Sequence, residues 1–159
     1  MKALLLAAGF GKRLRPLTNN TPKCLLKING IPLLDIWLKN LKFFGVEQIL
    51  INTHYLAEKV SNHIKKSNYN DIVKIVYEPI ILGTAGTLFK NKDFFNNEDF
   101  LLIHADNLCF FDYNKFINAH NQRPEHCVLT MMTYLTNQPK NCGVVEIDKN
   151  NVVTNFLEK

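Results

Sequence analysis

The chain opens on an apolar run, Ala3-Leu4-Leu5-Leu6-Ala7-Ala8, with no polar position on either face, which predicts a strand buried on both sides. It empties into a loop with glycines at positions 9 and 11. Leu34, Trp37, Leu38, Leu41 and Phe44 then recur at steps of three and four, the stripe of a helix over 32–44. Pro32 suits its first turn and Gly45 its stop. On this stripe Trp37 reads as a core residue. Ile49-Leu50-Ile51 marks a second buried strand over 48–53. Leu56, Val60 and Ile64 step by four along a helix predicted over 56–66, which leaves Lys59, Lys65 and Lys66 on a solvated face. Residues 73–77 predict a third strand, ended by Glu78-Pro79, and a short helix follows Leu82-Gly83-Thr84-Ala85-Gly86. Phe100 to Ala105 reads as a fourth strand that stops at Asp106. A helix over 113–121, a fifth strand over 128–134 and a strand pair over 143–147 and 152–157 complete the pattern. Asp148-Lys149-Asn150-Asn151 is the turn signal of that last pair.

Strand alternating with helix predicts an α/β fold with a parallel-rich sheet. No repeat, low-complexity segment or linker interrupts it, so 159 residues read as one compact domain. Charge adds little: +5, from 19 basic and 14 acidic residues, suits phosphorylated small molecules. No dense Lys/Arg block with interleaved aromatics points to nucleic acid. No apolar run is long enough to span a bilayer, and no leader pattern opens the chain, so a cytoplasmic protein is expected. Cys24, Cys109, Cys127 and Cys142 lack the close spacing of a zinc or redox motif and suit a reducing compartment. The histidines form no helical metal pair. Self-association into a homo-oligomer is left open.

The chemistry concentrates in the first loop. Gly9-Phe10-Gly11-Lys12-Arg13-Leu14 starts like a dinucleotide fingerprint, but Leu14 stands where close helix packing needs a third glycine. No Gly-Lys-Ser/Thr follows, so it is not a phosphate-cradling P-loop either. What remains is a basic turn able to aim N–H groups and Arg13 at a polyphosphate, balanced at this level against a merely solvated loop.

The longer pattern is more specific. Leu6-Ala7-Ala8-Gly9-x-Gly11-x-Arg13-Leu14-x-Pro16-Leu17-Thr18, with Pro22-Lys23-x-Leu25, resembles the signature of the sugar-1-phosphate nucleotidylyltransferases, most of all their mannose-1-phosphate guanylyltransferase branch. The likeness continues at Leu82-Gly83-Thr84-Ala85-Gly86, Asp106, Gly143-Val144-Val145 and Phe156-Leu157-Glu158-Lys159. It implies a Rossmann-like three-layer α/β/α fold with a mixed, mostly parallel sheet, of the nucleotide-diphospho-sugar transferase type. It also implies that Leu6, Ala7, Ala8, Gly9, Gly11, Lys12, Arg13, Gly83, Thr84 and Ala85 bind the nucleotide. Arg13 and Lys23 would set fixed positive charge at the phosphates, and Asp106 would hold Mg²⁺ as cofactor. The competing reading of Asp106 is a cap on the following turn. Gly143, Glu158 and Lys159 match positions that contact the sugar phosphate.

The implied reaction is an in-line displacement: an oxygen of a sugar-1-phosphate attacks the α-phosphorus of a nucleoside triphosphate, and pyrophosphate leaves. Glu78 lies where the family reads the base. A carboxylate only accepts, which suits the two adjacent donors of guanine and opposes the acceptors of thymine and uracil. GTP with mannose-1-phosphate or a related sugar phosphate is therefore favoured over dTTP or UTP with glucose-1-phosphate. Three positions depart from the pattern: Cys24 replaces a usual proline, Ala105 a common glycine, and Lys12 a small hydroxyl residue. Family members also continue past the position of Lys159 and supply a second metal-binding acidic residue there. The chain therefore reads as the N-terminal nucleotide-binding part of a longer catalytic domain. A nucleotide-binding module without turnover is the alternative, and a cytidylyl or molybdopterin-type relative is more distant.

Overall fold

The computed structural model describes residues 1–158. These form two compact units, the first Met1–Cys109 and the second beginning at Phe110.

In the first unit β1 (Lys2–Leu6) is the centre of a four-stranded sheet. A two-stranded pair, β2 (Lys27–Ile28) with β3 (Ile31–Pro32), precedes α1 (Leu33–Phe43). β4 (Gln48–Thr53), α2 (Ala57–Lys65), β5 (Val73–Tyr77), α3 (Gly83–Lys90) and β6 (Phe100–His104) follow. The sheet order is β5-β4-β1-β6 and every pairing in it is parallel. With the antiparallel pairs outside it, this is a Rossmann-like α/β fold whose strands pair mostly in parallel. Its core follows from the sequence pattern. Ala3, Leu4 and Leu5 of β1 and Ile49, Leu50 and Ile51 of β4 are wholly buried, as strands covered on both faces must be. Leu4, Leu50 and Phe95 form one cluster, with Leu6, Val76, Leu88 and Phe100 packed around it. Leu34, Leu38 and Leu41 bury the stripe of α1, and Trp37 is buried with them.

Strand order reverses between β1 and β6. β1 runs on through α1 to β4 on one side, whereas β6 adds on the other. Such a reversal opens a crevice at the carboxyl ends of the two strands, because the connections leave them in opposite directions. Register puts Leu6 opposite both Asn52 and His104, so the residues after β1, β4 and β6 emerge at one end of the sheet.

The second unit holds α4 (Tyr113–Asn121), capped by Asp112 Oδ1 accepting from Lys115 N at 3.0 Å, and the hairpin of β7 (Val144–Ile147) and β8 (Val153–Leu157). The fifth strand expected over 128–134 does not form. Val128, Leu129 and Tyr134 are largely exposed there, and the segment has no partner strand among the described residues. Apolar β-formers become a strand only when a ladder takes up their backbone groups. Among the described residues, no helix is long and apolar enough to cross a membrane.

Candidate active site

The loop after β1 is shaped by what lies behind it. Gly11 adopts φ +64°, and a Cβ there would stand 2.9 Å from Thr18 Cγ2. Thr18 is wholly buried and donates its hydroxyl to Gly11 O at 2.8 Å, which closes the loop onto its own return segment. Tyr55 Oη donates to Thr18 O at 3.0 Å and Asn19 O at 2.9 Å. Lys59, exposed as a solvated face requires, also donates its Nζ to Asn20 O. Between these anchors Lys12, Arg13 and Leu14 form a single 3-10 turn whose side chains are exposed.

Lys23 follows Pro22 at the start of a second 3-10 turn, Lys23–Leu25. Its Nζ donates to Asp106 Oδ2 at 2.7 Å, across 83 residues of chain. Asp106 sits just past β6. The next residue, Asn107, is held by Trp37 Nε1, which donates to its carbonyl at 2.7 Å, so the core tryptophan of α1 also steadies the acidic loop. Both partners of the ion pair are partly exposed to solvent. Asp106 Oδ1 receives no bond from a described residue. Cys24 is buried beside them, and burial pushes its thiol up to about 12, so it is an inert packing group there.

A cavity of about 150 Å³ opens at this end of the sheet. It is lined by Leu6, Ala7, Ala8 and Gly9 after and at the end of β1, by Gly83 and Thr84 of the α3 entry, and by the ion pair of Lys23 and Asp106. Eight of the expected site residues thus come together. Gly11, Lys12, Arg13 and Ala85 do not line the cavity; Gly11 shapes its loop, and Lys12, Arg13 and Ala85 are exposed. Glu78 does not line it either. Its side chain is 1% exposed, and Asn52 Nδ2 donates to its Oε1 at 3.0 Å while Leu82 N donates to its Oε2 at 3.2 Å. Gly143 and Glu158 belong to the second unit, where Gly143 abuts the Phe156 ring and Glu158 is exposed. Lys159 lies outside the described residues.

Asn52 and His104 also line the cavity, and the sequence reading passed over both. Each is a polar residue at the end of an apolar strand, which is the signal that could have found them.

Asp106 suits a hard cation. It offers a free carboxylate oxygen at the cavity, and Mg²⁺ is ordinarily held by one or two carboxylates with water and phosphate oxygens completing its shell. No group of three His, Cys, Asp or Glu side chains able to hold a metal alone occurs among the described residues. The donor set therefore fits a cation that arrives with a polyphosphate.

Comparison with known proteins places the chain in a family. The profile of the family described as nucleotidyl transferase matches residues 2–159. The mannose-1-phosphate guanylyltransferase catalytic subunit beta of Drosophila melanogaster is 32% identical over 99% of the chain and 43% of its own length. The N-acetylmuramate alpha-1-phosphate uridylyltransferase of Neisseria meningitidis serogroup B is 33% identical over 89% of the chain and 62% of its own length. Among solved structures, HddC from Yersinia pseudotuberculosis superposes with a TM-score of 0.76 at 26% identity, covering 99% of this chain and 69% of that one. The chain thus spans less than half the length of the guanylyltransferase it matches.

Proposed function

The chain belongs to the nucleotidyl transferase family, and on that premise we propose that its cavity binds a nucleoside triphosphate for transfer of the nucleotidyl group to a sugar-1-phosphate. The observation that carries this reading is the Lys23–Asp106 pair lining a cavity together with Gly9 and Gly83, at the strand-order reversal. The backbone of residues 6–9 lets the nucleotide approach closely, since glycine and alanine leave the wall low. Arg13 lies on an exposed turn beside it and engages the outer phosphates. Lys23 takes the oxygens of the reacting phosphate, where negative charge accumulates in the transition state. Asp106 would hold Mg²⁺, which would supply positive charge to neutralise and orient the polyphosphate. A sugar-phosphate oxygen then forms a bond to the α-phosphorus, and the bond from the α-phosphorus to the α–β bridging oxygen breaks, its electron pair staying on that oxygen, which leaves as part of pyrophosphate. The nucleophile is already an anion, so no general base is needed.

GTP and mannose-1-phosphate are the favoured pair. Support for guanine comes from the guanylyltransferase relative, not from Glu78, whose oxygens are engaged inside the protein. Gly143, Glu158 and Lys159 contact the sugar phosphate in this reading, and the chain is the nucleotide-binding part of a longer catalytic domain. The four free thiols suit a reducing compartment. One observation favours a binding module without turnover: Asp106 is the only carboxylate lining the described cavity.

Pyrophosphate release separates these readings when measured with GTP and mannose-1-phosphate, UTP and glucose-1-phosphate, and dTTP and glucose-1-phosphate. Release fastest with the first pair is expected. A clear preference for UTP or dTTP overturns the guanine assignment. Tight nucleotide binding with no release, here and in a longer form carrying the downstream residues of its relatives, establishes the binding module.

A further inference from the structure

The loop between Gly9 and Lys23 is fastened by two side chains at the entry of α2. Tyr55 Oη stands 3.0 Å from Thr18 O and 2.9 Å from Asn19 O, so its single proton is shared between two successive carbonyls. One helical turn on, Lys59 Nζ donates to Asn20 O. Three consecutive backbone acceptors of the returning arm, 18–20, are thereby taken up by side chains. The same tyrosine also meets the outgoing arm, where its ring and that of Phe10 lie 5.7 Å apart, tilted by 52°. His54 supports Phe10 edge-on at 5.3 Å. Lys12 Nζ stands 5.3 Å from the centre of the Phe10 ring, whose face attracts a cation.

A glycine on either side of Phe10 leaves the backbone there permissive, so the place of Phe10 is set by what it packs against. Thr18 ties the two arms once, through its hydroxyl on Gly11 O at 2.8 Å. Tyr55 ties them a second time, through opposite ends of one side chain: the ring holds Phe10 and the hydroxyl holds residues 18 and 19. Phe10 leads through Gly11 into the turn of Lys12 and Arg13, and the returning arm leads to Pro22 and Lys23. Tyr55 does not line the cavity, so its influence on an anion there runs through the loop.

We propose that Tyr55 is a positioning residue for the triphosphate: by holding both arms of the loop it fixes where Lys12 and Arg13 stand relative to Lys23. The assignment rests on the cavity being a nucleotide site. Charges held in place before the ligand arrives spare binding the cost of ordering them. The benefit falls on the outer phosphates, which the loop cations engage in that reading, and leaves a monophosphate almost untouched.

Calorimetric titration of the wild-type chain, Tyr55→Phe and Tyr55→Leu tests it, with GTP, UTP and dTTP and with their monophosphates, Mg²⁺ present throughout. Stoichiometry reports the folded fraction, and Kd is compared for the triphosphate that the wild type binds most tightly. Tyr55→Phe keeps the ring on Phe10 and loses both hydroxyl contacts. It should raise the triphosphate Kd about fivefold, the scale of one net hydrogen bond, and the monophosphate Kd less than about twofold. Tyr55→Leu gives up the aromatic pair as well and should raise the triphosphate Kd roughly twentyfold. If Tyr55→Leu does not fold, Tyr55→Phe carries the test. An unchanged triphosphate Kd in folded Tyr55→Phe overturns the proposal, and so does an equal loss for triphosphate and monophosphate, which marks a merely structural residue. A wild-type chain that binds no nucleotide overturns the nucleotide reading, and the proposal falls with it.

Discussion

A methyl group on Gly11 would meet Thr18 Cγ2 at 2.9 Å while forcing an L-residue to φ +64°. Gly11→Ala should therefore cost about 1–2 kcal/mol in chemical denaturation, the usual penalty of the left-handed region, and should weaken nucleotide binding as the loop shifts. In the proposed mechanism Lys23 and Asp106 act differently, through charge at the reacting phosphates. Lys23→Ala and Asp106→Asn are each expected to lower pyrophosphate release by roughly a hundredfold or more, with the fold intact by circular dichroism. Near-normal turnover in either variant removes that residue from the mechanism. These two were legible in the sequence because a long spaced pattern carried them. Asn52 and His104 were passed over, since a polar residue ending an apolar strand points to a site only once the strands are known to end side by side. Glu78 was visible as a carboxylate near the Gly83 loop, but its direction was not. The donors that turn it inward come from Asn52, Thr87 and Leu82, on three separate segments.

At the scale of elements, periodicity located most of them to within a residue or so. The expected helix over 56–66 begins one residue late because Leu56 itself sits in the left-handed region at φ 52° and caps the helix. The failed strand over 128–134 shows the opposite limit: composition predicts extended backbone, but pairing depends on a partner the segment lacks among the described residues. The hairpin turn was readable, and its bonds explain why. Asp148 Oδ1 accepts from Asn150 N at 2.8 Å and Val152 N at 2.9 Å. Asn151 takes the left-handed position at φ 60°. Asp148→Ala should speed hydrogen exchange at the Val152 amide by about tenfold, the loss of roughly one such bond. Exchange unchanged from wild type would show that the strands alone hold the turn.

Across the whole molecule, alkaline stability should depend on Cys24. Its thiol ionises near 9.0 when unexposed to the fold's influence and near 12 in place, because burial resists the thiolate. The folded state thus holds its proton where the unfolded state releases it. The contribution is fully present below about pH 9 and is lost as pH rises through about 12. Denaturation curves of the wild type should fall over that range, and Cys24→Ala should flatten the fall. A second molecular consequence comes from the 2.7 Å pair of Lys23 with Asp106. Locked together, the two charges cancel beyond a few ångströms, so neither draws a polyphosphate from afar. Long-range attraction is left to the exposed Lys12, Arg13 and Arg15, outside the cavity walls. The proposed mechanism thereby gives arrival and reaction to different cations. On the proposed reading, added salt should screen the outer three and slow nucleotide capture, with less effect on the step that uses Lys23.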